Sequence, residues 1–191
     1  MTVREILTVG HPVLRQRARE VGLDELASPP VQALIDDLIE TMRAAGGAGL
    51  AAVQVAEPLR IAVIEVDHNP RYPYKPAIPL TVVVNPVIDF LDEEVVVINE
   101  GCLSVPNLRG DVERRVHVRV RSLDRDGVAH DDVLRGLTAG TFQHEVDHLD
   151  GVLFLDRVDD PTTFTTWEQF ERFHRDAFVE RITAFVARVG S

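Results

Sequence analysis

The apolar positions of the chain change period more than once. After Ser28-Pro29-Pro30, the residues Val31, Leu34, Ile35, Leu38, Ile39 and Met42 recur at helical spacing, and the pattern stops at Gly46-Gly47. A polar cap, prolines in the first turn and glycines at the end punctuate one amphipathic helix. From Pro58 the pattern becomes β-branched and alternating. Strands are predicted over Arg60 to Val66, Thr81 to Asn85, Val87 to Leu91, Val95 to Ile98 and Val116 to Leu123. Asp92-Glu93-Glu94 predicts a hairpin turn. Asp124-Arg125-Asp126-Gly127 predicts another, leading into a short strand that ends near Leu134. Residues 69–79 hold four prolines and two tyrosines and predict a structured surface loop. The helical period returns over Gly136 to Leu149, closed by Gly151, and again over residues 162–189. There Trp167, Phe170, Phe173, Ala177, Ile182, Phe185 and Val189 form a stripe for packing on the core. A helix, then a block of strands, then helices indicates an α+β fold rather than alternating α/β.

Composition narrows this to one ordinary domain. The 191 residues are 45% hydrophobic, enough for a real core, and no repeat or low-complexity linker divides residues 1–191. Asp and Glu number 31 against 20 Lys and Arg, a formal charge of −11. Such a field repels phosphate backbones, so nucleic acid is not an expected partner. Cys102 is the single cysteine, and the fold therefore needs no internal disulfide. Without an apolar signal core or a membrane-length apolar run, the expected location is cytoplasmic.

The chemistry concentrates in His144-Glu145-Val146-Asp147-His148. Two histidines at i and i+4 on a helix point the same way, so both imidazoles can grip one cation. The glutamate between them sits beside the metal, free to handle the proton of a water. Asp147 is either a solvated charge or the partner of a buried arginine, for which Arg114 is the candidate. A catalytic site needs a third ligand and an open position. Cys102, Glu100, His11, His68, His117, His130 and His174 all qualify by residue type. Cys102 stands out, because it follows a strand in a tight turn and its thiolate suits zinc or ferrous iron.

Three blocks together resemble the peptide deformylase family. They are Gly47-Ala48-Gly49-Leu50-Ala51-Ala52-Val53-Gln54, Glu100-Gly101-Cys102-Leu103-Ser104 and Gln143-His144-Glu145-Val146-Asp147-His148-Leu149. The resemblance runs from about residue 3 to 158. It implies antiparallel β-sheets around a central helix carrying the histidine pair, with an N-terminal helix and a long C-terminal helix over about 162–189. It also implies removal of the formyl group from the N-terminal methionine of new polypeptides, releasing formate. By the same resemblance Cys102, His144 and His148 hold one divalent metal, Fe(2+) foremost, with Zn, Ni or Co tolerated. Glu145 becomes the acid/base, and Gln54 and the Leu103 N–H become donors to the oxyanion. Gly47, Ala48, Gly49, Glu100, Arg109, Leu137, Gly140 and Thr141 are the expected substrate-binding residues. The peptide is expected to lie extended, pairing near Gly49 and near Asn107 to Gly110. The ribosome is an expected transient partner, and the protein an expected monomer. Gly140 and Thr141 depart from the bulky apolar residues usual in the pocket for the first side chain. Two other readings use the same histidine pair: a zinc peptidase with another third ligand, and a metal-binding paralogue without catalysis.

Overall fold

A computed structural model of the protein describes residues 2–67 and 74–190. His68 and the first half of the proline-rich loop lie outside the described residues. Seven strands and five helices are described: α1 (Leu23–Leu26), α2 (Pro29–Ala44), β1 (Gly49–Ala51), β2 (Ile61–Val66), β3 (Ile78–Phe90), β4 (Val95–Cys102), β5 (Val105–Arg115), β6 (His117–Leu123), β7 (Ala129–Arg135), α3 (Gly136–Leu149), α4 (Trp167–Phe173) and α5 (Arg175–Val189), with short 3-10 turns between them. The architecture is α+β. One antiparallel sheet runs β1-β2-β3-β6-β7, and β4 and β5 form a separate hairpin.

The predicted helix at 29–44 forms as its stripe requires, with Leu34, Ile35, Leu38 and Met42 buried against Leu50, Ile61 and Val63. Ser28 stands at its N-cap, but its hydroxyl donates back to the Glu25 carbonyl instead of accepting from the helix. At the other end Gly46 takes φ +63°, a left-handed turn that glycine adopts without penalty. α3 is buried at every residue except His144. Ala139, Phe142 and Leu149 press on the large sheet, and the polar side chains of α3 turn toward the β4-β5 hairpin.

Four expectations change. Asp92-Glu93-Glu94 is a turn, but it carries the chain from the large sheet to the small one; β3 and β4 do not pair. The two strands expected around Pro86 are one strand with a bulge, where Asn85 sits at φ +51° and the register shifts between Val84 and Val87. Its side chain bonds the Val21 N–H and carbonyl, which pins that bulge. β5 lacks a clean alternation because Pro106, Gly110 and the charged Glu113-Arg114-Arg115 interrupt it. The long C-terminal helix is two helices broken at His174, whose φ −122° and ψ −25° leave the helical region. The break shifts the stripe: Phe173 is 62% exposed, while Phe178 joins Phe170 and Ile182 in the core.

Candidate metal centre and active site

β4 ends at Cys102, and the chain turns through Leu103 and Ser104 back into β5. The turn aims the thiol at α3, where Sγ lies 3.2 Å from His148 Nε2. Ligand atoms of Cys102, His144 and His148 all fall within 4.8 Å of one another, a trio that fits around one ion. The rings of His144 and His148 meet edge to face, with centroids 5.0 Å apart, as the i, i+4 spacing allows. His11, His117, His130 and His174 take no part in this group.

The protonation states suit a cation. Burial, reinforced by the charge of His144, pushes His148 well below the usual imidazole range, so it is neutral and able to ligate. For His144 burial acts downward too, but bonds to Cys102 and Glu100 outweigh it and raise its pKa well above normal. Surroundings that favour a proton there equally favour a metal ion. Its Nδ1 is 2.8 Å from Glu100 Oε2, which orients the ring and leaves Nε2 toward the ligand cluster.

Behind the histidines runs a buried chain of charges. Arg114 donates to both oxygens of Glu100, at 2.7 and 2.9 Å, and to Asp147 at 2.6 Å. Arg157 donates to Asp147 from the other side. The Arg114–Asp147 pair anticipated from the sequence is therefore present. Burial alone would raise the Glu100 carboxyl; Arg114 and His144 hold it well below the usual range. Glu100 lines the cavity, and its oxygens hold Arg114 and His144, so it orients the His144 ring.

Glu145 points from α3 toward β1. An added Cβ at Gly49 would fall 2.5 Å from its carboxyl carbon, so that glycine is required by close approach. Glu145 Oε2 is buried without a partner among the described residues, and burial pushes this carboxyl up to about 7. Gln54 is fixed at both ends of its amide: Oε1 accepts from the Ala51 N–H at 2.8 Å, and Nε2 donates to Ser104 Oγ at 3.0 Å.

These groups open onto one cavity of about 320 Å³, and every site residue expected from the sequence lines it except His148, which sits behind. Leu137, Gly140 and Thr141 form its α3 wall. Gly140 does not leave free space, since its missing Cβ position is 2.6 Å from Ile98 Cδ1. One expected contact is overturned. Substrate backbone cannot pair with Arg109, because Thr165 already holds both its N–H and its carbonyl at 2.8 and 2.9 Å. Sequence reasoning missed Tyr74, Lys75, Asn99 and Trp167, which also line the cavity. Tyr74 and Lys75 lie in the aperiodic proline-rich segment, and Trp167 falls on the stripe that the sequence predicts for core packing.

Comparison with known proteins places this geometry. The family described as Polypeptide deformylase matches residues 3–164. Peptide deformylase 1 of Nitrosomonas europaea is 40% identical over 162 residues, 85% of this chain and 91% of the relative. The peptide deformylase of Leptospira biflexa is 43% identical over 159 residues, 83% and 89% of the two chains. Among solved structures, the class I type b peptide deformylase of Acinetobacter baumannii with Met-Ala-Ser bound superposes with a TM-score of 0.79 at 39% identity, covering 82% of this chain and 99% of that one. The enzyme from Thermotoga maritima gives 0.73 at 35% identity, covering 84% and 100%. The chain belongs to the peptide deformylases, enzymes that remove N-terminal formyl groups.

Proposed function

We propose that this protein hydrolyses the formyl group of N-formylmethionyl peptides at a Cys102-His144-His148 metal centre. The observation that carries the reading is the convergence of that trio with an unpartnered, buried Glu145 oxygen in the same cavity. A thiolate, two imidazoles and a supporting carboxylate form a donor set that fits Fe(2+), with zinc, nickel or cobalt able to replace it. A divalent cation held there supplies Lewis acidity, polarising a carbonyl and making water acidic near neutral pH.

The chain's own residues do the rest. Glu145, with a carboxyl pKa raised by burial, takes the proton of the attacking water and returns it to the leaving amine. Gln54 Nε2 and the Leu103 N–H donate to the formyl oxygen as it gains charge. Ala51 and Ser104 hold the Gln54 amide in place for this, with Nε2 also 3.7 Å from Cys102 Sγ. β1 is an edge strand of the large sheet, and its Gly47-Ala48-Gly49 approach offers backbone to an extended peptide. The Met-Ala-Ser ligand of the Acinetobacter baumannii enzyme supports a peptide in this cavity. A cytoplasmic monomer meeting nascent chains at the ribosome is the setting this chemistry fits.

Mass spectrometry of formyl-Met-Ala-Ser after incubation with the metal-loaded protein separates the readings. Loss of the formyl group with both peptide bonds intact is expected, and Cys102→Ser is expected to lose both metal and turnover. Cleavage between residues, or full activity in Cys102→Ser, would favour the zinc peptidase.

A further inference from the structure

Gln54 and the Cys102 ligand come from different elements, the 3-10 turn after β1 and the turn of the β4-β5 hairpin. Ser104 joins them. It is fully buried and bonded through three of its groups. Its N–H donates to Cys102 Sγ at 3.3 Å, its hydroxyl accepts from Gln54 Nε2 at 3.0 Å, and its carbonyl accepts from the Val9 N–H at 2.7 Å. The same N-terminal segment reaches Gln54, because Leu7 donates its N–H to the Gln54 carbonyl at 2.8 Å. The N–H groups of Thr2 and Arg4 fasten that segment to α2 through Asp37 and Thr41.

A side-chain amide nitrogen carries two hydrogens, and Gln54 can use them for different tasks. Oε1 accepts from the Ala51 N–H, which can only donate, so Nε2 is the atom that faces Ser104. Ser104 Oγ takes one hydrogen. The other is left on the side of the ligand trio, where Nε2 stands 3.7 Å from Cys102 Sγ. Without the hydroxyl, the Ala51 bond would still hold the amide oxygen, but the amide plane could turn about it and Nε2 would lose its aim. A donor fixed before charge develops is worth more than a mobile one, because it costs no reorganisation at that moment.

We propose that Ser104 is a positioning residue for Gln54. Its hydroxyl occupies one Nε2 hydrogen and turns the other toward the formyl oxygen, while its carbonyl, held by Val9, makes residues 7–9 part of the same fixture. The inference rests on the deformylase reading, which gives Gln54 its task. Ser104 is not among the residues that line the cavity, so its effect on the reaction passes through Gln54.

A double-mutant cycle tests this on the metal-loaded full chain with formyl-Met-Ala-Ser. Ser104→Ala is expected to lower kcat about tenfold, with KM within about twofold and metal content level. In a Gln54→Ala background the same change is expected to cost less than about twofold, because the residue it positions is gone. A merely structural serine would cost the same in both backgrounds. Val9→Pro reaches the fixture from outside. Val9 and Gly10 are the central pair of a turn closed by the His11 N–H on the Thr8 carbonyl, with Gly10 at φ +104°, and such a turn accepts proline at its first central position. The variant removes the N–H that holds the Ser104 carbonyl, and the Val9 side chain, 44% exposed, gives up little packing. A severalfold loss in kcat, again absent without Gln54, is expected. The amide itself is read without turnover, by NMR of the zinc-loaded protein. The Gln54 side-chain protons are expected to exchange with solvent at least about tenfold faster in Ser104→Ala than in the wild type. A kcat loss repeated in full without Gln54, or exchange unmoved by Ser104→Ala, would overturn the inference. Absence of formate from the wild type would instead overturn the deformylase reading, and the exchange rates would still decide whether Ser104 fixes the amide.

Discussion

Single side chains carry the chemistry, and their supports matter as much as their identity. Gln54 is locked between Ala51 and Ser104 with its amide at the cavity, so Gln54→Ala should lower kcat about 100- to 1000-fold while metal content stays level. Steady-state kinetics beside metal analysis checks this. Arg114 is 3% exposed and bridges two buried carboxylates. Arg114→Met leaves Glu100 without its cation, which should destabilise the fold by roughly 3–5 kcal/mol in urea unfolding. It should also weaken metal binding about 10- to 100-fold, since His144 loses its oriented carboxylate. The histidine pair, Glu145 and Cys102 were legible in the sequence because their spacing and chemistry are unusual. Lys75 and Trp167 were not, because nothing in a lone lysine or a core-like tryptophan marks the cavity that a distant strand brings to it.

At the scale of elements, periodicity found what packing alone decides. α2, β2, β6, the hairpin into β7 and α3 all stand close to their predicted ranges. β5 escaped because its buried positions include Arg114 and Arg109, whose burial depends on partners far along the chain. The break at His174 escaped because the stripe continues through it in sequence, though not in phase. Phe178 is therefore the C-terminal anchor, buried against Tyr74 and Phe170. Phe178→Ala should cost about 3–5 kcal/mol in denaturant unfolding, whereas Phe173→Ala, at an exposed ring, should change little. The N-terminal segment is tied to α2 through Asp37, which accepts from the Thr2 N–H and from Arg4. The Thr2 N–H and then Arg4 hold that carboxyl below its usual range against the upward pull of burial. A depressed folded-state pKa adds stability above the unfolded value, near pH ~4, and the gain disappears as pH falls through the folded value. Asp37→Asn should thus be less stable than wild type at neutral pH, and the two should converge on acidification in pH-dependent melting curves.

For the whole molecule, the fold serves to bring three separate stretches to one cavity. The large sheet presents Gly49, the 3-10 turn after β1 presents Gln54, the small hairpin presents Cys102, and α3, buried between them, presents Glu145 and the two ligand histidines His144 and His148. The C-terminal helices then close the far wall with Trp167. Sequence motifs revealed the three stretches and their order; only the fold shows that Thr165 occupies the Arg109 backbone and that Lys75 and Trp167 line the same cavity. The central claim is that this assembly hydrolyses a formyl amide with Glu145 handling the proton. The most direct test is formate release from a formyl-methionyl peptide, by anaerobically prepared iron-, nickel- or cobalt-loaded protein, for wild type and Glu145→Gln at matched metal content. The account predicts steady release by the wild type and a loss of nearly all turnover in the variant. No formate from any metal form of the wild type, or undiminished release by Glu145→Gln, would contradict it.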